Sequence, residues 1–228
     1  MCSAMNTYFG LNMPAWQFAR NTMVVSCAGL FPLLLLYIAL TPGFGALLLS
    51  SGPAFSRFLR QVVTNGLPVV FAVNYVSFIL FAVVADKQRE RAVPARILLI
   101  DLPARVVIFV LLHGVIYFVS ADWFGSFGGD HWQALQVVGP TLVRSAFFEN
   151  ISGVYLYATL VSALPLYATV IDSSLERGSG RWEWLRGLVY KLPGKFGPIL
   201  LALAFFGLFT LALTGAAALI MKLQSVWI

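Results

Sequence analysis

Between Arg20 and Arg57 lie 36 consecutive residues without a single Asp, Glu, Lys or Arg. A helix needs only about 20 apolar residues to cross the hydrocarbon core of a bilayer. Four further windows of the same kind occur: 25 residues between Arg60 and Asp86, 16 between Arg105 and Asp122, 22 between Glu149 and Asp172, and 26 between Lys195 and Lys222. Charge is expensive at membrane depth, so the places where it does occur cut the chain into spans and connections. Only 11% of the 228 residues are charged and 60% are hydrophobic, against about 25% charged in an ordinary soluble domain. A soluble globule of this size would have too few polar residues to cover its surface.

The third window reaches spanning length if it begins near Ile97. Asp101 and Arg105 then lie one turn apart at the membrane surface, where they pair at i,i+4 and the arginine stem snorkels. The predicted spans are 22–40, 66–85, 97–119, 151–171 and 198–221. Helices are favoured over a barrel because the windows are continuously apolar, without period-2 alternation. The expected fold is an all-α integral membrane protein: one polytopic domain, a bundle of five transmembrane helices with two or three interfacial amphipathic segments.

Counting Lys and Arg by alternating side gives eleven on the side that holds Arg20, the 87–105 cluster and the 177–195 cluster, and four on the side that holds Arg57, Arg60, Arg144 and Lys222. The positive-inside rule then puts the N-terminus in the cytoplasm and the C-terminus outside. A bacterial inner membrane is the expected location. Trp123, Phe124, Trp182, Trp184 and Trp227 fall where interfacial aromatic belts are expected.

The connections carry signals of their own. Residues 1–19 are uncharged but too mixed to cross, and their aromatic residues suit the headgroup level. Thr41-Pro42-Gly43-Phe44-Gly45 breaks the chain after the first span and leads into an external loop. The apolar stretch 132–143 is too short to span and reads as a surface helix. In 181–191, Trp182, Trp184, Leu185, Leu188 and Val189 fall on one helical face, opposite Arg186 and Lys191. Trp182, Trp184 and Leu185 are expected to anchor this cytoplasmic helix in the lipid boundary while Arg186 and Lys191 meet anionic headgroups.

Few polar residues stand inside the spans. Asn74, near the midplane of the second, has Ser77 one turn further along the same side; an amide there must face protein or water. His113 is toward the external end of the third span, beside Gly114, which suits a close helix contact. Glu149, with Arg144 and Asn150, falls at a similar height, so a pocket between His113 and Glu149 is allowed. Pro165 predicts a kink in the fourth span, with Ser162 or a water available to satisfy the Val161 carbonyl. Gly207, Thr210, Thr214 and Ala218 form a small-residue stripe on the fifth span, and Ala158 with Ser162 offers the same spacing on the fourth.

The two cysteines, Cys2 and Cys27, make no disulfide framework. No zinc-protease, nucleophile-elbow or phosphate-loop motif occurs. No cofactor, metal or nucleic acid is implied. Three functions remain. The leading one is a non-catalytic membrane subunit or assembly factor that packs against other membrane proteins within the bilayer. The second is a small permease or channel using Asn74, Ser77, His113 and Glu149. The third is an interfacial lipid-modifying enzyme using Asp101, Asp122, Asp130 or Glu149. The rarity of charge inside the spans sets that order.

Overall fold

The structure, a computed structural model of the chain, describes residues 8–87, 93, 95–177 and 183–227. Among these residues every regular element is helical. Five stretches are long and apolar enough to cross a membrane: Ala15–Leu40, Gly52–Lys87, Ala95–Trp123, Ile151–Glu176 and Phe196–Ser225. Each extends beyond its predicted window at one end or both.

Helix α1 (Ala15–Leu40) starts after Pro14, whose extended backbone sets the entry. Part of the segment before it packs against the bundle. Phe9 is buried, with its ring 4.3 Å from that of Phe78 and edge-on to Phe18 at 5.6 Å, whereas Tyr8 and Trp16 are exposed. Cys2 and the rest of residues 1–7 lie outside the described residues. The predicted break at 41–45 is present, and Gly43 takes a left-handed φ of 73° to make it.

Beyond this break the chain is helical instead of an open loop. Helix α2 (Phe44–Ser50) leads to α3 (Gly52–Gln61), capped by the Ser51 hydroxyl, which accepts from the Ala54 N–H at 3.3 Å. One π-helical turn, Val62–Gly66, joins α3 to α4 (Leu67–Lys87). Here the Tyr155 ring lies so close to Gly66 that any Cβ would overlap it. Sequence periodicity gives no sign of this widened turn.

A 3-10 turn, Ala95–Ile97, opens the third span, α5 (Leu98–Trp123). Helix α6 (His131–Ser145) packs along it, N-capped by the Asp130 carboxylate, which accepts from the N–H groups of Trp132 and Gln133 at 2.9 and 3.1 Å. The fourth span is broken at Ser162 and Ala163 into α7 (Ile151–Val161) and α8 (Leu164–Arg177), as Pro165 predicts. Ser162 bonds the Ala158 carbonyl at 2.5 Å, however, and not that of Val161. A short helix α9 (Glu183–Val189) and the long α10 (Phe196–Trp227) complete the chain.

The fourth span is the axis of the bundle: 72% of its apolar window is buried, against 17% for the fifth. Helix α7 packs against α1, α4, α5 and α6, and α8 against α10. Gly29 lets α1 approach this axis, for a Cβ there would overlap the Ser162 hydroxyl and stand 3.0 Å from the Ala158 carbonyl. In lipid, apolar burial barely distinguishes a helix neighbour from a lipid tail, so close approaches of this kind and hydrogen bonds between spans hold the bundle together.

Candidate functional site

The third span begins Leu98-Leu99-Ile100-Asp101-Leu102-Pro103-Ala104-Arg105, and the i,i+4 spacing places both charged side chains on one face. That face points inward. Arg105 is completely buried and Asp101 is 5% exposed, so the pair is closed off from solvent by the bundle and does not snorkel. Snorkelling needs a route to water, and here neighbouring spans close it.

Arg105 Nε donates to Asp101 Oδ2 at 2.6 Å. Arg105 Nη1 donates to Asn74 Oδ1 at 2.5 Å and to the Thr159 carbonyl at 2.7 Å. Asn74 Nδ2 in turn donates to the Ser26 hydroxyl at 2.9 Å. Asp101 also accepts from the Ser77 hydroxyl on Oδ1 and from the Tyr167 hydroxyl on Oδ2. The cluster thus draws side chains or backbone from four spans: Ser26 from the first, Asn74 and Ser77 from the second, the ion pair from the third, Thr159 and Tyr167 from the fourth.

The break in the fourth span is part of this site. In an unbroken helix the Thr159 carbonyl would accept from the Ala163 N–H. At the break that N–H turns to the Leu160 carbonyl at 3.2 Å, which leaves the Thr159 oxygen for the guanidinium. Arg105 therefore satisfies a backbone group that the kink exposes. Its Nη2 alone has no hydrogen-bond partner, and the guanidinium carbon stands 5.2 Å from the centre of the Phe78 ring, whose electron-rich face offsets part of that deficit.

Among the described residues no hydrogen bond or ion pair joins either of the two remaining candidate residues to this cluster. His113 is buried, its Nδ1 donating to the Phe109 carbonyl at 3.0 Å and its ring 4.1 Å from that of Phe109. It borders a cavity of about 30 Å³ together with Tyr117, Thr141 and Ser152, room for a water or two. Glu149 is exposed, and among the described residues no hydrogen bond or ion pair joins it to His113 or to Arg144. Gly114, beside His113, has open space where a Cβ would stand, so no tight helix contact is made there.

The acidic residues considered for catalysis are dispersed. Asp101 is in the cluster, Asp122 stands 3.5 Å from His131, and Asp130 caps α6. Among the described residues no three His, Cys, Asp or Glu side chains converge as metal ligands would.

On the fifth span the packed face runs through Ala202, Phe206, Phe209 and Ala217. Of the small-residue stripe, Gly207 and Thr214 are half-buried and Ala218 is exposed, while the Thr210 hydroxyl is buried with no hydrogen-bond partner among the described residues. Open space surrounds the Cβ position of Gly207.

Of the lipid-anchor residues, Trp182 and the side chain of Trp184 lie outside the described residues. Leu185 packs against the bundle together with the buried Val189, so this part of the amphipathic face is spent on protein. Arg186 and Lys191 are exposed.

No family model, curated protein or solved structure matches this chain. The functional reading therefore rests on the cluster and on the surfaces around it.

Sequence reading reached Asn74 and Ser77 as one site and Asp101 with Arg105 as a pair, but did not join the two. The clue was available, since a buried amide needs a partner and the nearest charged pair is one helix away. Ser26, Tyr167 and the Thr159 carbonyl carried no sequence signal of comparable strength.

Proposed function

We propose that this protein is a non-catalytic integral membrane subunit or assembly factor that binds another membrane protein through its fifth span. The observation that carries the reading is how far the polar cluster extends. Among the described residues it fastens four spans to one another and takes nothing from the fifth, only 17% of whose apolar window is buried.

Apart from Arg105 Nη2, the hydrogen-bonding atoms of the ionisable pair are committed to that fastening. A permease built around Asn74 would need the amide available to a solute, yet its oxygen serves Arg105 and its nitrogen serves Ser26. On the fifth span, Gly207, Thr214 and Ala218 offer little bulk, and small residues let a second backbone come close enough for strong dispersion contact.

The same reading places the protein in a bacterial inner membrane, N-terminus in the cytoplasm, on the eleven-to-four distribution of Lys and Arg. Helix α9 then lies at the cytoplasmic interface. Arg186 and Lys191, both exposed, meet anionic headgroups there.

Purification of the tagged protein from its native membrane in mild detergent tests the proposal. The expected result is a second membrane protein in fixed ratio, lost from a Gly207→Leu, Thr214→Leu double variant whose thermal midpoint is unchanged. A monodisperse lone monomer from the same extraction would overturn it.

A further inference from the structure

None of the ten residues of α3, Gly52–Gln61, is buried, yet they sort by face. Phe58 and Val62 stand four apart and turn to the bundle. Val62, in the π turn that follows, is buried, and Phe58 packs against the same core cluster and meets the Phe44 ring edge-on at 5.4 Å. Phe55, Leu59 and Val63 repeat that spacing on the next face, where each is about half exposed. Ser56, Arg57, Arg60 and Thr64 take the remaining face, all of them exposed. Going round the helix, the order is protein, open apolar surface, cations. A helix bathed only in water gains nothing from a second apolar strip, whereas one lying along a lipid boundary has a use for it.

Length puts α3 at that boundary. The apolar stretch Gly52–Lys87 has 36 residues and runs about 54 Å as a helix, but the hydrocarbon core is only about 30 Å thick. The 21 residues of α4 suffice to cross it. Helix α3 is also held in place. Tyr37, Phe44 and Phe58 form a chain of edge-on rings that ties it to the end of α1, and the Thr64 hydroxyl donates to the Arg60 carbonyl at 2.8 Å.

Charge distinguishes the surface further. No Asp or Glu occurs anywhere in residues 1–85. Arg57 and Arg60 stand three residues apart on one face, and among the described residues neither is in an ion pair. Arg57 Nε donates only to the Pro53 carbonyl, at 3.3 Å. Glu149 follows Phe148, whose ring lies 6.0 Å from that of Tyr37, but it pairs with neither arginine. Both guanidinium groups thus keep free donors for a partner outside the chain.

We infer that α3 is a docking surface for anionic phospholipid, with Arg57 and Arg60 on the headgroup phosphate and Phe55, Leu59 and Val63 among the acyl chains. The guanidinium fork matches phosphate oxygens, and the apolar strip beside it gains from burial that a soluble anion does not supply. A zwitterionic headgroup fits less well, because its ammonium would meet two like charges and no carboxylate on the helix. With five crossings, α3 and α9 fall at opposite faces of the membrane, so this surface is separate from that of Arg186 and Lys191. It is also independent of what the fifth span binds.

The test follows α3 itself. The full-length protein is placed in nanodiscs of phosphatidylcholine, alone or with an equal part of phosphatidylglycerol, and amide hydrogen exchange of residues 54–61 is compared. Phosphatidylglycerol is expected to slow that exchange about 25-fold, at about fivefold for each arginine. Raising the salt to about 0.5 M should remove most of the slowing. Arg57→Gln and Arg60→Gln should each leave about fivefold, and the double variant none. Both side chains are exposed, so these variants keep the fold.

Phe55→Ser with Leu59→Ser should speed exchange in both lipids, and unchanged rates would overturn the acyl contact. Arg186→Gln with Lys191→Gln should leave the slowing intact; if it fell as far as in the double arginine variant of α3, net charge and not this surface would be the cause. Equal exchange in the two lipids, or slowing that survives the loss of Arg57 and Arg60, would overturn the inference. So would slowing that appears only when a co-purifying membrane protein is added back, since the occupant would then be a protein.

Discussion

Arg105 Nη1 and Asn74 Oδ1, 31 residues apart in sequence, meet at 2.5 Å between the second and third spans. The contact converts two residues that are each costly in lipid into a mutual solution. The guanidinium gains an acceptor without leaving the membrane, and the amide gains a charged donor and passes its own N–H to Ser26. Because Arg105 also holds Asp101 and the Thr159 carbonyl, one side chain sets the relative height of three spans.

Breaking the ion pair from one side leaves a buried charge without its counterion. Arg105→Gln or Asp101→Asn is expected to cost about 3–5 kcal/mol, whereas the double variant Asp101→Leu, Arg105→Met should recover most of that loss. Denaturant-titrated unfolding in detergent measures it, with the double variant Asp101→Asn, Arg105→Gln closing the double-mutant cycle on the two single variants. Additive single losses would show that the two charges do not act as a pair.

Asn74→Leu removes both the acceptor for Arg105 and the donor to Ser26. A loss of about 1–3 kcal/mol is expected, at the upper end of interhelical hydrogen bonds in membranes because one partner is charged. Ser26→Ala alone should cost less, and in the double variant the serine change should add almost nothing. A thermal midpoint series reads this directly.

Gly29 and Gly114 should respond in opposite ways to the same substitution. A Cβ at Gly29 collides with the Ser162 hydroxyl and the Ala158 carbonyl, one at Gly114 with nothing. Gly29→Ala is expected to cost about 1–3 kcal/mol by overpacking, partly relieved by Ser162→Ala. Gly114→Ala should change stability by no more than about 0.5 kcal/mol. Equal effects at the two positions would refute the close approach of α1 to the fourth span.

The docking of α9 should weaken in alkali. The Tyr190 hydroxyl has an ordinary value of 10.0 and is pushed up to about 12 in the folded protein by partial burial and by Asp172. The unfolded or undocked segment therefore loses its proton first. The stabilisation is fully present below pH 10.0 and is lost as pH rises toward about 12. Hydrogen exchange of residues 183–189 across that range should show increasing opening, and Tyr190→Phe should remove this dependence.

The five spans were legible because their signal is compositional: uncharged runs of 16 to 36 residues need no knowledge of partners. The kink at Pro165 and the break at 41–45 were legible for a similar reason, since proline and glycine act on their own backbone. The π turn at Val62–Gly66 was not, because it answers the Tyr155 ring, which arrives from another span. Glu149 and His113 were placed at one height by topology alone. Height along the membrane normal does not fix direction around a helix, and the structure leaves one exposed and the other buried.

By itself the sequence determined that this chain is helical and where lipid replaces water around it, since the cost of an unpaired charge or backbone group in hydrocarbon depends on local composition. Which way each helix turns its few polar side chains was decided only by tertiary structure. Asp101 and Arg105 show the division: their spacing makes them a pair in any helix, but a position near the end of a span suits a snorkelling charge and an inward-facing one equally well. Ser77, Asn74, Tyr167 and the carbonyl that the kink frees at Thr159, all from other spans, make the inward arrangement the cheaper one.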